Sequence, residues 1–187
     1  IYTSLFVGSG QMCIRDRQDM IRKTIFSVST DETRYVLNGV LFLMENDDFR
    51  MVSTDGHRLS YIKTKLPKPV KEKIHQIVPS KALQELNKIL SGEGDVNIQI
   101  NENQIIFSTP EVVLMSRLIE GQFPNYEQVI PKNSEIQISC PTEIFTGATK
   151  RVALMASDKS NSVKYSFGPN GLMITANTPE VGEAQEE

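Results

Sequence analysis

The chain has 187 residues, 39% of them hydrophobic and 23% charged, and a formal net charge of −3. That length fits one full domain plus part of another, and the composition is that of a globular chain, not a disordered one. It excludes a membrane-spanning helix, since no apolar run approaches the ~20 residues one needs, and a generally basic nucleic-acid binder, so any DNA-facing charge must be gathered on one face.

The first ten residues are mildly apolar but lack the basic leading region and small-residue cleavage site of a signal peptide. Residues 1–17 stand outside the pattern that follows. Ser4–Arg17, SLFVGSGQMCIRDR, resembles translated sequencing-adapter sequence, and is read as a non-native segment. The alternative is a native strand and loop, which a packed strand at Ser4–Gly8 would favour.

A helix is predicted over Gln18–Ser29, with Met20, Ile21, Ile25 and Val28 as its apolar stripe. Strands rich in Val, Ile, Tyr and Phe follow at Arg34–Met44, Phe49–Thr54, Arg58–Lys65 and Ile74–Val78, with Asn46-Asp47-Asp48 as a hairpin turn. Pro67-Lys68-Pro69 marks a surface loop. The second helix starts after Pro79-Ser80, with Ser80 as its cap, buries Ala82, Leu83, Leu86, Ile89 and Leu90, and ends at Gly92. Further strands are predicted at Val96–Ile100, Gln104–Ser108, Val112–Leu118 and Ile136–Ser139. A third helix runs over Pro141–Ala156 on Ile144, Ala148, Val152 and Met155. Strands at Ser162–Phe167 and Leu172–Ala176 and an acidic tail, Thr178–Glu187, complete the chain.

The helices start about 61 residues apart, a repeat of one helix plus about four antiparallel strands. The fold class is therefore α+β. Two units make a complete domain over residues 18–133. A third begins at residue 134 and stops partway at residue 187, which reads as truncation because a half-unit cannot close its own core.

The two cysteines, Cys13 and Cys140, lie far apart without metal-ligand spacing, which fits a reducing cytoplasm. Asp55-Gly56-His57 could orient a base or ligate a metal, the basis for a metal-dependent phosphoesterase using Asp55 and His57. With His75 the only other histidine, the ligand set is short. The plainer reading is a turn in which Asp55 caps and Gly56 supplies positive φ. Gly8-Ser9-Gly10 is too short for a nucleophile elbow, and Gly92-Glu93-Gly94 is no phosphate loop, so no cofactor is expected. Arg22, Lys23, Lys81, Lys88, Lys150 and Arg151 all lie off the apolar stripes, either as solvated helix faces or as phosphate contacts.

Four stretches resemble the β sliding clamps of bacterial DNA polymerase III: Arg34–Phe42, Ser53–Leu59, Leu118–Pro131 and Leu172–Asn177. The pairing of Thr54-Asp55-Gly56-His57-Arg58-Leu59 with Phe123-Pro124-Asn125-Tyr126 is its most specific mark. The resemblance implies the DNA-clamp fold, with residues 18–133 as the middle domain and residues 134–187 as the start of the third. It implies a non-enzymatic ring, closed as a head-to-tail homodimer, that holds double-stranded DNA loosely through the six basic helix residues. It also implies a pocket for short peptides of polymerase, clamp-loader and repair proteins. The wall carried by this chain would be Arg34, Leu37, Thr54, Gly56, His57, Arg58, Leu59, Pro124 and Val129. Gln128 stands where the family often has a basic residue. A clamp-like interaction module without a DNA role is the remaining alternative.

Overall fold

The structure is a computed structural model, and it describes residues 8–90, 94–133, 136–156, 162–169, 171–178 and 182–187. The chain divides into two units, Ile1–Ile130 and Pro131–Glu187.

In the first unit, strand β1 (Gly8–Cys13) leads into helix α1 (Ile14–Ile25). A short 3-10 helix (Glu32–Leu37) precedes β2 (Gly39–Glu45), β3 (Asp48–Thr54), β4 (Leu59–Lys65) and β5 (Ile74–Pro79). Helix α2 (Ser80–Ile89) follows, then β6 (Asp95–Ile100), β7 (Gln104–Ser108) and β8 (Val113–Arg117). The strands form two four-stranded antiparallel sheets, ordered β1-β6-β7-β8 and β4-β3-β2-β5.

The stripe residues Met20 and Ile21 of α1 and Leu83, Leu86 and Leu90 of the second helical segment enter one core with Phe42, Phe49, Ile98 and Phe107 from both sheets. Strand β2 is buried on both faces. Its Val40, Phe42 and Met44 join that core, whereas Leu41 and Leu43 join a second layer with Leu37, Val52, Ile77, Phe123 and Tyr126. The run GVLFLM is thus continuously apolar because the strand is covered twice.

Several expectations are corrected. Gly8–Arg17 does not stand outside the fold: β1 pairs with β6 from Gly8↔Ile100 to Cys13↔Asp95, and α1 begins at Ile14, four residues before Gln18. Ser4–Val7 lies outside the described residues. Arg34–Leu37 is a 3-10 helix and not the start of a strand. Asp31 accepts the Thr33 backbone N–H at 2.9 Å and its hydroxyl at 2.7 Å, and this local cap outcompetes the β preference of Tyr35 and Val36. Ser80 is the first residue of α2 and makes no capping bond; Pro79 holds the N-cap position. The helix end expected at Gly92 lies outside the described residues. The hairpin expected at Asn46-Asp47-Asp48 turns on Asn46 and Asp47 alone, with Asn46 at φ 54° and Asp48 already paired with Glu45 as the first residue of β3.

In the second unit, α3 (Thr142–Ala153) packs on β9 (Lys164–Gly168), β10 (Gly171–Thr178) and β11 (Gly182–Glu186). Its core is small: Ala148, Val152, Ile174 and Ala176. Ile144, expected on the buried stripe, is 69% exposed. Ile136–Ser139 forms no strand, because no described strand offers it a partner, and Ile136 and Ile138 stay exposed. The acidic tail supplies β11, which pairs with the edge of β10 from Ile174↔Glu186 to Thr178↔Gly182. Only Ala184 of that strand packs against the core, so the tail carries too little hydrophobic alternation to announce a strand.

Candidate functional site

The β3–β4 connection builds the site. Thr54 ends β3 opposite Leu59, and four residues close the turn between them. The Thr54 hydroxyl accepts the Gly56 N–H at 3.1 Å and donates to the Arg58 carbonyl at 2.7 Å. Asp55 Oδ1 accepts the backbone N–H groups of His57 (2.9 Å) and Arg58 (3.0 Å), and Oδ2 accepts the Arg58 Nε–H at 3.0 Å. Those backbone donors, His57 first, hold the Asp55 carboxyl below the usual carboxylate range. Gly56 sits at φ +92°, where side chains strain, and a Cβ built there would lie 3.2 Å from Arg34 Nη1.

The 3-10 helix brings Arg34 to the same place. Asp31 caps that helix, and its Oδ2 lies 3.8 Å from Arg34 Nε. Together Asp31, Arg34, Asp55, His57 and Arg58, with Val28–Thr30 as a back wall, line a depression of about 270 Å³. Each arginine faces an aspartate on its Nε side, which leaves the fork ends for an incoming acceptor.

Of the nine residues expected on one wall, Arg34, His57 and Arg58 line this depression. Thr54 and Gly56 shape its turn. Leu37 is not an open floor: it is 7% exposed and belongs to the apolar layer beneath. Leu59 is half-buried against that same layer. Pro124 and Val129 are not at the depression. Pro124 lines a separate cleft, and Val129 is 66% exposed just after the short 3-10 helix Tyr126–Gln128. Gln128 is exposed on that helix. Asp31 was missed as a site residue, although Asp followed two residues later by Thr is the signal of a side-chain cap.

The six basic residues are exposed. Helices α1 and α2 pack together, with the Gln18 amide donating to the Leu90 carbonyl, so Arg22, Lys23, Lys81 and Lys88 share one helical layer. Lys23 pairs with Asp19 at 2.6 Å, Lys88 with Glu85 at 2.8 Å, and Arg151 with Glu186. Among the described residues, Arg22, Lys81 and Lys150 form no ion pair. No group of three or more His, Cys, Asp or Glu side chains is placed to hold a metal among the described residues. Both Asp55 oxygens are spent on its own turn, which argues against a phosphoesterase centre there. No described helix is long and apolar enough to cross a membrane.

The sequence model of the DNA polymerase III beta subunit central domain matches residues 15–125, and that of the C-terminal domain matches residues 127–187. The beta sliding clamp of Staphylococcus aureus is 38% identical over 179 residues, covering 95% of this chain and 47% of that protein. The crystal structure of the sliding clamp from Bacillus subtilis superposes with a TM-score of 0.92 at 34% identity, over 100% of this chain and 50% of that one. The clamp of Bartonella birtlesii, solved bound to griselimycin, gives 0.86 at 32%, over 100% and 51%. The chain thus spans about half the length of these relatives. With the two domain models matching residues 15–125 and 127–187 in succession, the chain belongs to the DNA polymerase III beta subunit family, the bacterial sliding clamps.

Proposed function

We propose that this chain supplies the central domain and part of the C-terminal domain of a non-enzymatic processivity clamp. The complete protein would close as a head-to-tail homodimer around duplex DNA in the cytoplasm and dock polymerase, clamp-loader and repair proteins through short peptides. The observation that carries this reading is the convergence of Arg34, His57 and Arg58 on one depression above the apolar layer of Leu37 and Leu59. A charged rim over a half-buried leucine suits a peptide that inserts an apolar side chain and offers its backbone carbonyls to the rim. The relative solved with griselimycin supports a ligand-accepting surface on this family.

The helices fit a loose DNA lining. Arg22, Lys23, Lys81, Lys88, Lys150 and Arg151 are long, exposed cations, several of them tempered by carboxylates, which suits exchangeable phosphate contacts without sequence readout.

Titration with a clamp-binding peptide tests the docking assignment. The His57 ring signals should move, and Leu59→Asp should abolish the response while the fold persists. Unchanged binding in Leu59→Asp would sink it. DNA association without salt dependence in the full-length protein would leave an interaction module and remove the DNA role.

A further inference from the structure

The depression lined by Arg34, His57 and Arg58 is polarised. Asp31 stands on the side of the 3-10 helix that it caps, and His57 and Arg58 stand on the side of the β3–β4 turn. Arg34 reaches from one side to the other. Its Nε is 3.8 Å from Asp31 Oδ2, and its Nη1 is turned to Gly56, 3.2 Å from where a Cβ would stand. Arg58 gives its Nε–H to Asp55 and keeps its Nη end. The directed N–H donors of both arginines therefore gather at the turn.

The two aspartates are not equivalent. Asp55 spends Oδ1 on two backbone N–H groups and Oδ2 on Arg58. Asp31 spends Oδ1 on the hydroxyl and backbone N–H of Thr33, whereas its Oδ2, facing Arg34 Nε at 3.8 Å, is beyond hydrogen-bond reach. The Thr33 hydroxyl, and then its N–H, hold the Asp31 carboxyl below the usual carboxylate range, so it is ionised at neutral pH. The side chain is half-exposed. One open anionic oxygen at the helix cap thus faces the same depression as the open cationic donors of the turn. A ligand of one sign throughout is repelled at one end. A ligand with a cation toward the cap and an acceptor toward the turn is attracted at both.

On the docking assignment made above, we propose that Asp31 is a specificity-determining residue of this site. The depression selects a peptide with a basic residue on the side of its apolar anchor that passes the 3-10 helix, and an acidic residue on the side that passes the β3–β4 turn. Discrimination comes from repulsion of the reversed order as much as from attraction of the right one.

Peptides of identical composition and opposite order test this. The full chain is titrated with acetylated, amidated Ala-Lys-Leu-Glu-Ala and Ala-Glu-Leu-Lys-Ala, and with the neutral Ala-Ser-Leu-Ser-Ala, while the His57 ring signals are followed by NMR. One order should bind about fivefold tighter than the other at low salt, and the ratio should shrink toward unity as salt rises. Asp31→Asn and Asp31→Ser each keep a capping oxygen for Thr33 and lose the charge. Both should lower the ratio to about twofold, the share left to the arginines, by weakening the preferred order. The neutral peptide should bind them as it binds the parent chain. A role confined to the cap would leave the ratio unchanged in both variants. Equal binding of the two orders, or a ratio that survives both variants, would overturn the proposal, and a His57 response to the neutral peptide would then keep the docking assignment. Absence of any His57 response to all of the peptides would remove the docking assignment and the proposal together.

Discussion

Asp55 holds Arg58 at two points: Oδ1 accepts its backbone N–H and Oδ2 its Nε–H, both at 3.0 Å. The arginine at the rim is therefore aimed by the residue that also ties the turn. The bonds favour the carboxylate and lower its pKa, so they are present above the ordinary carboxylate range and lost as pH falls through the lowered folded-state value. The Arg58 Nε–H signal should stay constant from neutral pH down to about 4 and collapse only below it. Asp48, held at about 2 chiefly by Lys65 and then by Lys63, should titrate well below the ordinary value. Collapse of the Arg58 signal above pH 5 would show that Asp55 does not hold it.

Gly39 opens β2 where no side chain fits. A Cβ there would lie 2.6 Å from the Val78 carbonyl oxygen, 2.8 Å from Ile77 Cγ2 and 2.9 Å from Ile119 Cδ1. The nearest obstacle is backbone of the paired strand β5, which cannot swing away as a side-chain tip can. Gly39→Ala should destabilise the first unit by about 2–3 kcal/mol in urea denaturation. A change within about 0.5 kcal/mol would mean that β5 moves aside more freely than a buried sheet strand should.

Arg17 is 2% exposed on the inward stripe of α1 with Met20 and Ile21, and its guanidinium lies 4.7 Å from the centre of the Phe49 ring. Burial pulls its pKa down to about 9, the neighbouring Asp16 pulling the other way, so it remains charged at neutral pH. A cation at this stripe position carries a desolvation cost in the core it enters. Arg17→Leu should stabilise the chain by about 1–3 kcal/mol, read as a higher Tm, since replacing a buried ion by an apolar side chain of similar bulk removes a desolvation cost. A lower Tm would show that contacts such as the one to Phe49 outweigh that cost.

Helix stripes and hairpins were legible in the sequence because they depend on neighbours three or four residues apart, or across a short turn. Leu83, Leu86 and Leu90 are buried as their spacing required, and Asn46 takes the positive φ its residue type allows. What was illegible depends on distant partners or on rival local bonds. Arg34–Leu37 reads as β until Asp31 is seen capping it. The tail reads as solvent until the edge of β10 recruits Gly182–Glu186. The site was legible as a motif: Thr54–Arg58 and Arg34 do converge. The motif could not reveal that Leu37 sinks into the layer below, or that Pro124 faces another cleft.

The six basic helix residues should not contribute equally to DNA binding. Lys23, Lys88 and Arg151 already face Asp19, Glu85 and Glu186. A phosphate must compete with those carboxylates, so each binds at a discount. Arg22, Lys81 and Lys150 have no such competitor among the described residues. Fluorescence anisotropy of a labelled duplex at low salt should separate the two sets. Changing Arg22, Lys81 and Lys150 together to Gln should flatten the dependence of log K on log salt by about 0.9 for every phosphate no longer neutralised, close to three in all if each side chain engages one phosphate. The same change at Lys23, Lys88 and Arg151 should flatten it by clearly less. Surface lysines and arginines of this kind alter stability little, so thermal melts should stay nearly constant in both triple variants. Equal slopes for the two triples would show that the carboxylates do not temper their partners, and an unchanged slope in both would remove these helices from the DNA-binding surface.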